Sequence, residues 1–319
     1  MTQLKNKKIL LTGGKGFLGS YVYKKLIERG VPEENIIVTS SKTDDLRDRN
    51  ICDRVVNGID VVIHCAGKIG GIQYTLEHPG QAFYDNAAMA LNIIEASRKA
   101  NVEKLTFVGT ACSYPRKVDI PYKEDELWSG YPDEINATYG LAKRFALVHG
   151  QSYRKEYGFN SVYLVLANLY GPCDDFSIKY SHVISALIRK AVDAVENNEK
   201  ELIVWGTGNA SREFLYVEDA AEAIILATEM YNKEEPVNVG NGKEITIKNL
   251  VKLICEIVGF EGKIVFDTSK PDGQPRRCLN VSKAEKEFGF RARTGLREGL
   301  KKTIEWYKAN MGSIEQWIK

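Results

Sequence analysis

A tyrosine and a lysine, Tyr139 and Lys143, form the first pair in this chain able to move a proton. They stand in Asn136-Ala-Thr-Tyr-Gly-Leu-Ala-Lys-Arg144, which opens a long amphipathic stretch. A helix there puts both on one face. An ammonium beside a phenol favours the phenolate, so Tyr139 is expected to have a lowered pKa and to exchange a proton near neutral pH. Upstream, Leu105–Gly109 reads as a buried strand that ends in Thr110-Ala-Cys-Ser-Tyr-Pro115. The Thr110 hydroxyl at this strand end suits a substrate oxygen. Tyr-x-x-x-Lys also arises by chance on many helices, so its meaning depends on what surrounds it.

The first half of the chain supplies those surroundings. Lys8–Thr12 is an apolar run, hence a buried strand, followed by Gly13-Gly-Lys-Gly16-Phe17-Leu18-Gly19 and a helix from Phe17 to about Arg29, with Gly30 as its stop. Glycines are needed there to make the tight turn, to let backbone approach a pyrophosphate and to let helix pack on strand. The loop therefore reads as a dinucleotide site, with the helix N-terminus facing the anion. The second strand, Asn35–Thr39, ends in Thr39-Ser40-Ser41-Lys42 rather than in a carboxylate. Hydroxyls and a cation suit a 2′-phosphate better than a free ribose diol, which predicts NADP(H). Asp45-Leu46-Arg47-Asp48 is either an acidic helix start or an adenine contact.

A third strand, Asp60–Ala66, ends in Gly67-Lys68-Ile-Gly-Gly-Ile72, a loop expected to cross the carboxyl ends of the strands. His64 within it is expected to be a core residue, and His78 a turn residue. A helix follows from Pro79 to about Ala100; the fifth strand is Ser161–Leu166. This alternation predicts an α/β fold with a doubly wound parallel sheet of the Rossmann type. The stretch 116–135 is expected to loop over the site. The two long helices are expected to pair in an antiparallel bundle between two copies of the chain, giving a homodimer.

After Asn168-Leu-Tyr-Gly-Pro172 the pattern changes. A helix begins near Ser181, with His182 in its first turn. Strand-like pieces follow at Glu201–Gly208 and Ser211–Val217, then a helix from Glu218 to Met230, and Pro236–Gly240 returns to the sheet. The tail holds a helix at 246–258, a strand at Lys263–Asp267, a Pro/Gly-rich loop at Lys270–Arg277 and two helices. The expected organisation is a dinucleotide-binding domain at 1–170, with a returning segment near 213–240, and a smaller mixed α/β substrate lobe from 171–212 and 241–319.

Composition excludes several classes. The formal net charge is only +2, so there is no electrostatic footprint for nucleic acid or membrane. The six cysteines are scattered without a C-x-x-C pair, which argues against a structural zinc; no metal is expected. In a chain this size they read as free thiols of a reducing compartment. No signal peptide or apolar span is visible, so a cytoplasmic location is expected.

The ordered set of Gly13-x-x-Gly16-x-x-Gly19, a strand ending in Thr110, Tyr139-x-x-x-Lys143 and a C-terminal lobe resembles the extended short-chain dehydrogenase/reductases that act on nucleotide sugars. Gly67–Ile72, Cys112–Pro115, Asn168–Pro172, Ser181–Ile184, Val204-Trp-Gly-Thr-Gly208 with Arg212-Glu-Phe214, and Lys270–Arg276 narrow the resemblance to their epimerase/reductase branch. The branch converts GDP-4-keto-6-deoxy-D-mannose to GDP-L-fucose with NADPH. The resemblance implies that Cys112 and His182 move protons at C3 and C5, and that Tyr139 protonates the C4 oxygen as hydride arrives. It further implies that Lys143 holds the nicotinamide ribose and that Thr110, where the family more often has Ser, binds the C4 oxygen. By themselves Cys112 and His182 read as a small residue after a strand and a surface helix residue. The same resemblance implies cofactor contacts from Gly13, Gly16, Phe17, Leu18, Gly19, Ser41, Lys42, Asp45, Leu46, Ala66, Lys143 and Asn168. Lys68 is a candidate for substrate binding, and Trp205, Arg212, Arg276 and Arg277 are the candidates for the guanine and diphosphate of a GDP-sugar.

The chain has Cys173-Asp-Asp175 where the family commonly has His-Asp-Asn, and Ala111 where it has Ser. Competing expectations are another GDP-sugar, such as a heptose or a dideoxy-hexose, a sugar-nucleotide dehydratase, an NAD-dependent 4-epimerase and a non-catalytic dinucleotide sensor. The dehydratases usually carry Asp-Glu after the strand-end Thr, where Ala111-Cys112 stands here. An intact Tyr139/Lys143 pair speaks against a sensor.

Overall fold

The computed structural model describes residues 2–270 and 272–313; Pro271 of the Lys270–Arg277 loop lies outside them. Six parallel strands form the central sheet in the order β2-β1-β3-β4-β5-β9. They are β1 (Ile9–Thr12), β2 (Ile36–Val38), β3 (Val61–His64), β4 (Lys104–Thr110), β5 (Ser161–Leu166) and, late in the chain, β9 (Val237–Val239). Every residue of β1, β3 and β5 is buried. That is why these strands read as continuous apolar runs: a parallel sheet is covered on both faces. Each fully buried Leu, Ile or Val contributes about 1.5–3 kcal/mol, so the sheet is the rigid part on which the site is mounted.

One layer of helices comprises α1 (Phe17–Glu28), packed on α7 (Val217–Met230). The other comprises α2 (Arg49–Val55), α4 (Pro79–Lys99) and α5 (Ala137–Tyr157), with α3 (Ile72–Glu77) leaning on α4. Asp48 caps α2 by accepting from Asn50 N at 2.8 Å, and Gly158 ends α5 in the left-handed conformation. Helix α3 occupies ground expected to be loop and turn; its two turns carry too little apolar periodicity to be read.

The second half builds around a separate apolar cluster that includes Phe176, Ile188, Leu250, Ile254 and Ile304. Helices α6 (Val183–Glu196), α8 (Ile247–Val258) and α10 (Leu296–Asn310) enclose it, while α9 (Ser282–Phe288) packs on α7. Strand β8 (Ser211–Tyr216) is the centre of a small mixed sheet, flanked by β10 (Glu244–Thr246), β12 (Arg276–Arg277) and β6 (Asn168–Tyr170). Strands β7 (Glu201–Trp205) and β11 (Lys263–Asp267) form a parallel pair. The fold is thus a Rossmann-type α/β sheet with a smaller mixed region. Of the expected returning segment, its first residues belong to β8 in the small sheet, whereas α7 and β9 rejoin the large one. Strands β6 and β12 escaped the sequence because each is two or three residues long and is held by pairing with β8.

At the amino ends of the strands, Lys104 is 1 % exposed. Its Nζ donates to Ala227 O at 3.1 Å, Tyr231 O at 2.5 Å and Asn232 Oδ1 at 3.1 Å, closing the C-terminal end of α7. Burial pushes this ammonium down to about 7.

Candidate active site

The sheet's order reverses between β1 and β3, which lead to β2 on one side and β4 on the other, and the glycine loop lies over that crevice. Gly13 has φ +71°, and a Cβ there would stand 2.7 Å from Ala66 N at the end of β3. A Cβ at Gly19 would stand 2.0 Å from Gly13 O, so only glycine lets α1 approach the loop. At Gly16 a Cβ would meet nothing nearer than Gly13 O at 3.2 Å, and no side chain caps α1 there. A cradle of small residues with an uncapped helix start fits a dinucleotide pyrophosphate. Phe17 and Leu18 begin that helix and are partly buried.

Beyond β2, Asp44 accepts from Ser40 N at 3.0 Å and pairs with Arg54 at 2.7 Å. The turn it fixes carries Ser41 and Lys42 exposed at its tip. Asp45 is engaged by Arg47, which also reaches Asp85 at 2.9 Å. Leu46 points into the core at 4 % exposure, and its carbonyl accepts from Asn92. The acidic run is therefore a helix cap at Asp48 and an arginine clamp at Asp45.

After β3 the loop 67–71 turns across the strand ends. Asn86 holds it from α4, accepting from Lys68 N at 3.1 Å and donating to Lys68 O at 2.8 Å. Farther on, Gly71 N donates to Tyr180 O at 2.6 Å, and a Cβ at Gly71 would stand 2.7 Å from Ser181 O. This brings the loop against the segment that delivers His182, the residue preceding α6. Asp174 lies half-buried nearby and accepts from Ser185 Oγ at 2.5 Å; desolvation raises its carboxyl, against the pull of His182. His64 is a core residue, as expected: it is 1 % exposed, shares a hydrogen bond with Thr12 at 2.8 Å, and stacks on Phe107.

At the end of β4, Thr110 Oγ accepts from Cys112 N at 3.2 Å, which leaves its O–H free to donate. Helix α5 meets this turn through Gly140, where a Cβ would stand 2.3 Å from Cys112 O. Ser113 Oγ donates to Gly140 O at 2.9 Å, and Arg144 donates to Ser113 O. Thr110, Cys112 and Tyr139 are thereby held together. Lys143, 3 % exposed, donates to Ala66 O at 3.4 Å, and its Nζ lies 5.9 Å from the centre of the Tyr139 ring.

The expected lowering of the Tyr139 pKa is not what the geometry gives. Burial pushes this phenol well above its ordinary value, and Cys112 and Tyr163 push it further. Lys143 does not offset this, because it pays the same desolvation: burial brings its ammonium down to about 8. Tyr139 accordingly rests as a phenol with a proton to give.

The candidates for the GDP moiety separate into three groups. Arg277 and Arg212 sit opposite each other on β12 and β8. Arg277 Nη1 donates to Cys112 Sγ at 3.3 Å, which places its guanidinium beside the turn at the end of β4. Arg212, pushed down to about 10 by burial and by Arg277, donates to Asp272 O at 3.3 Å. Arg276 points the other way and is paired with Glu244. Trp205 is 57 % exposed at the end of β7, with Lys190 and Lys270 ammonium groups 5.6 and 5.4 Å from its ring centre. Asn168 donates to Glu213 O at 3.2 Å at the start of β6.

Sequence reasoning missed Gly140, Asn86 and Gln274. The glycine between Tyr139 and Lys143 was the available signal for the first; the other two act through contacts distant in sequence.

A family model described as the NAD dependent epimerase/dehydratase family matches residues 9–240. The chain is 38 % identical over 312 residues to a GDP-L-fucose synthase of Sinorhizobium fredii, with 98 % of each chain covered. Among solved structures it superposes on a GDP-6-OMe-4-keto-L-xylo-heptose reductase from C. jejuni with a TM-score of 0.89 and 28 % identity, covering 97 % of this chain and 99 % of that one. A GDP-L-fucose synthetase from Naegleria fowleri bound to NADP gives a TM-score of 0.87 at 29 % identity, over 98 % and 95 % of the two chains. With a glycine cradle at the β1/β3 crevice and a Thr, Tyr and Lys set at the end of β4, the chain belongs to the NAD dependent epimerase/dehydratase family, among its nucleotide-sugar epimerase/reductases.

Proposed function

We propose that this protein is an NADPH-dependent epimerase/reductase of a GDP-4-keto-6-deoxy sugar, converting GDP-4-keto-6-deoxy-D-mannose to GDP-L-fucose in the cytoplasm. The observation that carries the reading is the packing of the Thr110–Ser113 turn on Gly140, which gathers a hydroxyl, a thiol and a phenol at one strand end. A plain reductase needs the hydroxyl and the phenol; the thiol is the group an epimerase adds.

A C4 ketone acidifies the C–H bonds at C3 and C5. Cys112, as thiolate, takes a proton from one face, and the electron pair moves onto the C4 oxygen to form an enolate. His182 returns a proton from the opposite face, which inverts the centre. The Thr110 O–H holds the C4 oxygen throughout. NADPH, when bound, supplies the hydride that reduces C4. The protonated state of Tyr139 fits this step: it gives its proton to the C4 oxygen as the carbonyl becomes an alcohol. Lys143, beside Ala66 O, is in reach of a ribose laid over the end of β3. Ser41 and Lys42 are offered to the 2′-phosphate. Trp205, with its two lysines, is offered to the guanine and diphosphate. The six-stranded sheet then serves the cofactor and the smaller region the sugar nucleotide. Exposed Phe83, Tyr84 and Leu91 on α4, with Phe145 and Val148 on α5, supply an apolar face for pairing with a second copy.

The test combines purified protein, NADPH and GDP-4-keto-6-deoxy-D-mannose in deuterated water. Loss of reduced-nicotinamide absorbance with GDP-L-fucose carrying deuterium at C3 and C5 is expected. Oxidation without deuterium at either carbon would remove the epimerase half. A second reading, a GDP-heptose substrate, is favoured by the superposition on the heptose reductase; turnover of a 4-keto-heptose in preference to the deoxymannose would establish it.

A further inference from the structure

We propose that Arg277 is a positioning residue that holds Cys112 in its thiolate form through a direct hydrogen bond from the guanidinium. The inference rests on the reading in which Cys112 moves protons at C3 and C5, and deepens it.

The sense of the contact is fixed by chemistry. A guanidinium has only donors, so at 3.3 Å Arg277 Nη1 donates the hydrogen bond and Cys112 Sγ accepts it. A thiolate accepts such a bond far better than a thiol does. The arginine is also buried, at 7 % exposure, and no carboxylate among the described residues lies within ion-pair distance of it. A buried cation without an anion is costly, and the remedy within reach is the sulfur. The remaining donors tell the same story. Nη2 is pinned by Gln274 Oε1 at 2.9 Å, whose amide is itself held by Tyr122 OH and Arg116 O. Nε is buried and has no partner. The guanidinium therefore cannot swing to solvent, and it presents one edge to Cys112.

The charged and titratable groups around the pair come from three segments. Tyr122 and Asp133 lie on the 116–135 strap, Arg212 on β8 and Tyr139 on α5. Burial alone would lower the Arg277 pKa; Cys112 first, then Tyr122 and Asp133, raise it above its ordinary value instead. Tyr122 and Tyr139 both remain protonated near neutral pH, since burial raises each. In the reaction the thiolate becomes a thiol as it takes the sugar proton, and returns to thiolate when that proton leaves.

The test measures alkylation of Cys112 by iodoacetamide, located by peptide mass spectrometry, as a function of pH in the cofactor-free protein. Arg277→Met should slow the reaction about tenfold at neutral pH, and the gap should close in alkali, where every thiol is ionised. Arg277→Lys should recover most of the rate. Gln274→Glu, which leaves the arginine in place but gives it a carboxylate, should also slow Cys112. NADPH binding reports that each variant is folded. Alkylation of Cys112 at the wild-type rate in folded Arg277→Met or in Gln274→Glu would overturn the proposal. Deuterium uptake into the sugar should fall in the same order as alkylation. If the wild-type protein takes up no deuterium, the proposed function fails, while the alkylation series still decides the role of Arg277.

Discussion

Replacing Gly140 by Ala should separate catalysis from folding. An added Cβ would stand 2.3 Å from Cys112 O, 2.9 Å from Cys112 C and 3.2 Å from Ser113 Cα. All three are backbone atoms of a turn that Ser113 and Arg144 tie to α5, so no side chain can move aside. Ordinary contact begins at 3.4 Å, so helix and turn must part by about 1 Å. Overpacking of this kind costs about 1–3 kcal/mol, against which alanine regains about 1 kcal/mol of helix propensity. The net loss of stability is small. The catalytic loss is larger, because the displacement lies between Tyr139 and Thr110–Cys112, and a misplacement of about 1 Å can cost on the order of a hundredfold. Single-turnover oxidation of NADPH measures the chemical step, and thermal unfolding and NADPH binding measure the rest. A rate within twofold of wild type would refute the argument that this contact sets the site.

Two further outcomes depend on pH. Lys143 is charged below about 8 in the free protein and neutral above it. NADPH affinity should weaken as pH rises through that value, and Lys143→Met should remove the step; a titration with the same step in both proteins would rule out Lys143 as its source. Lys104 keeps its proton to about 10.5 when unfolded but to about 7 when folded. Between these values the unfolded chain binds more protons, so the penalty is full below pH 7 and stability rises with pH across the window. Lys104→Met should flatten that rise in the unfolding temperature, and parallel curves for the two proteins would show that Lys104 is not its origin.

The large sheet was readable because its strands are buried on both faces and its glycine loop has one physical purpose. Pro236–Gly240 was placed correctly as a strand returning to that sheet. What escaped has a common cause. Strands β6 and β12 exist only through their pairing with β8, and α3 is too short to show a period. Arg277 was expected at the guanine or diphosphate, and nothing in the sequence joined it to Cys112, which lies 165 residues away with no spacing rule to connect them. The sign of the Tyr139 shift was misread because a pairwise rule for neighbouring charges ignores burial, which here acts on both partners and dominates.

The chain leaves the large sheet after β5, builds β6 to β8 elsewhere, returns for α7 and β9, and leaves again. A unit woven in this way has no single seam. Recombination at one junction would hand a descendant half of a small sheet without its partners, because β6 and β8 come before the return while β10 and β12 come after it. New sugar preferences in such a lineage are therefore expected to arise by replacement of individual side chains, and a laboratory graft from one relative to another must exchange both outlying pieces together.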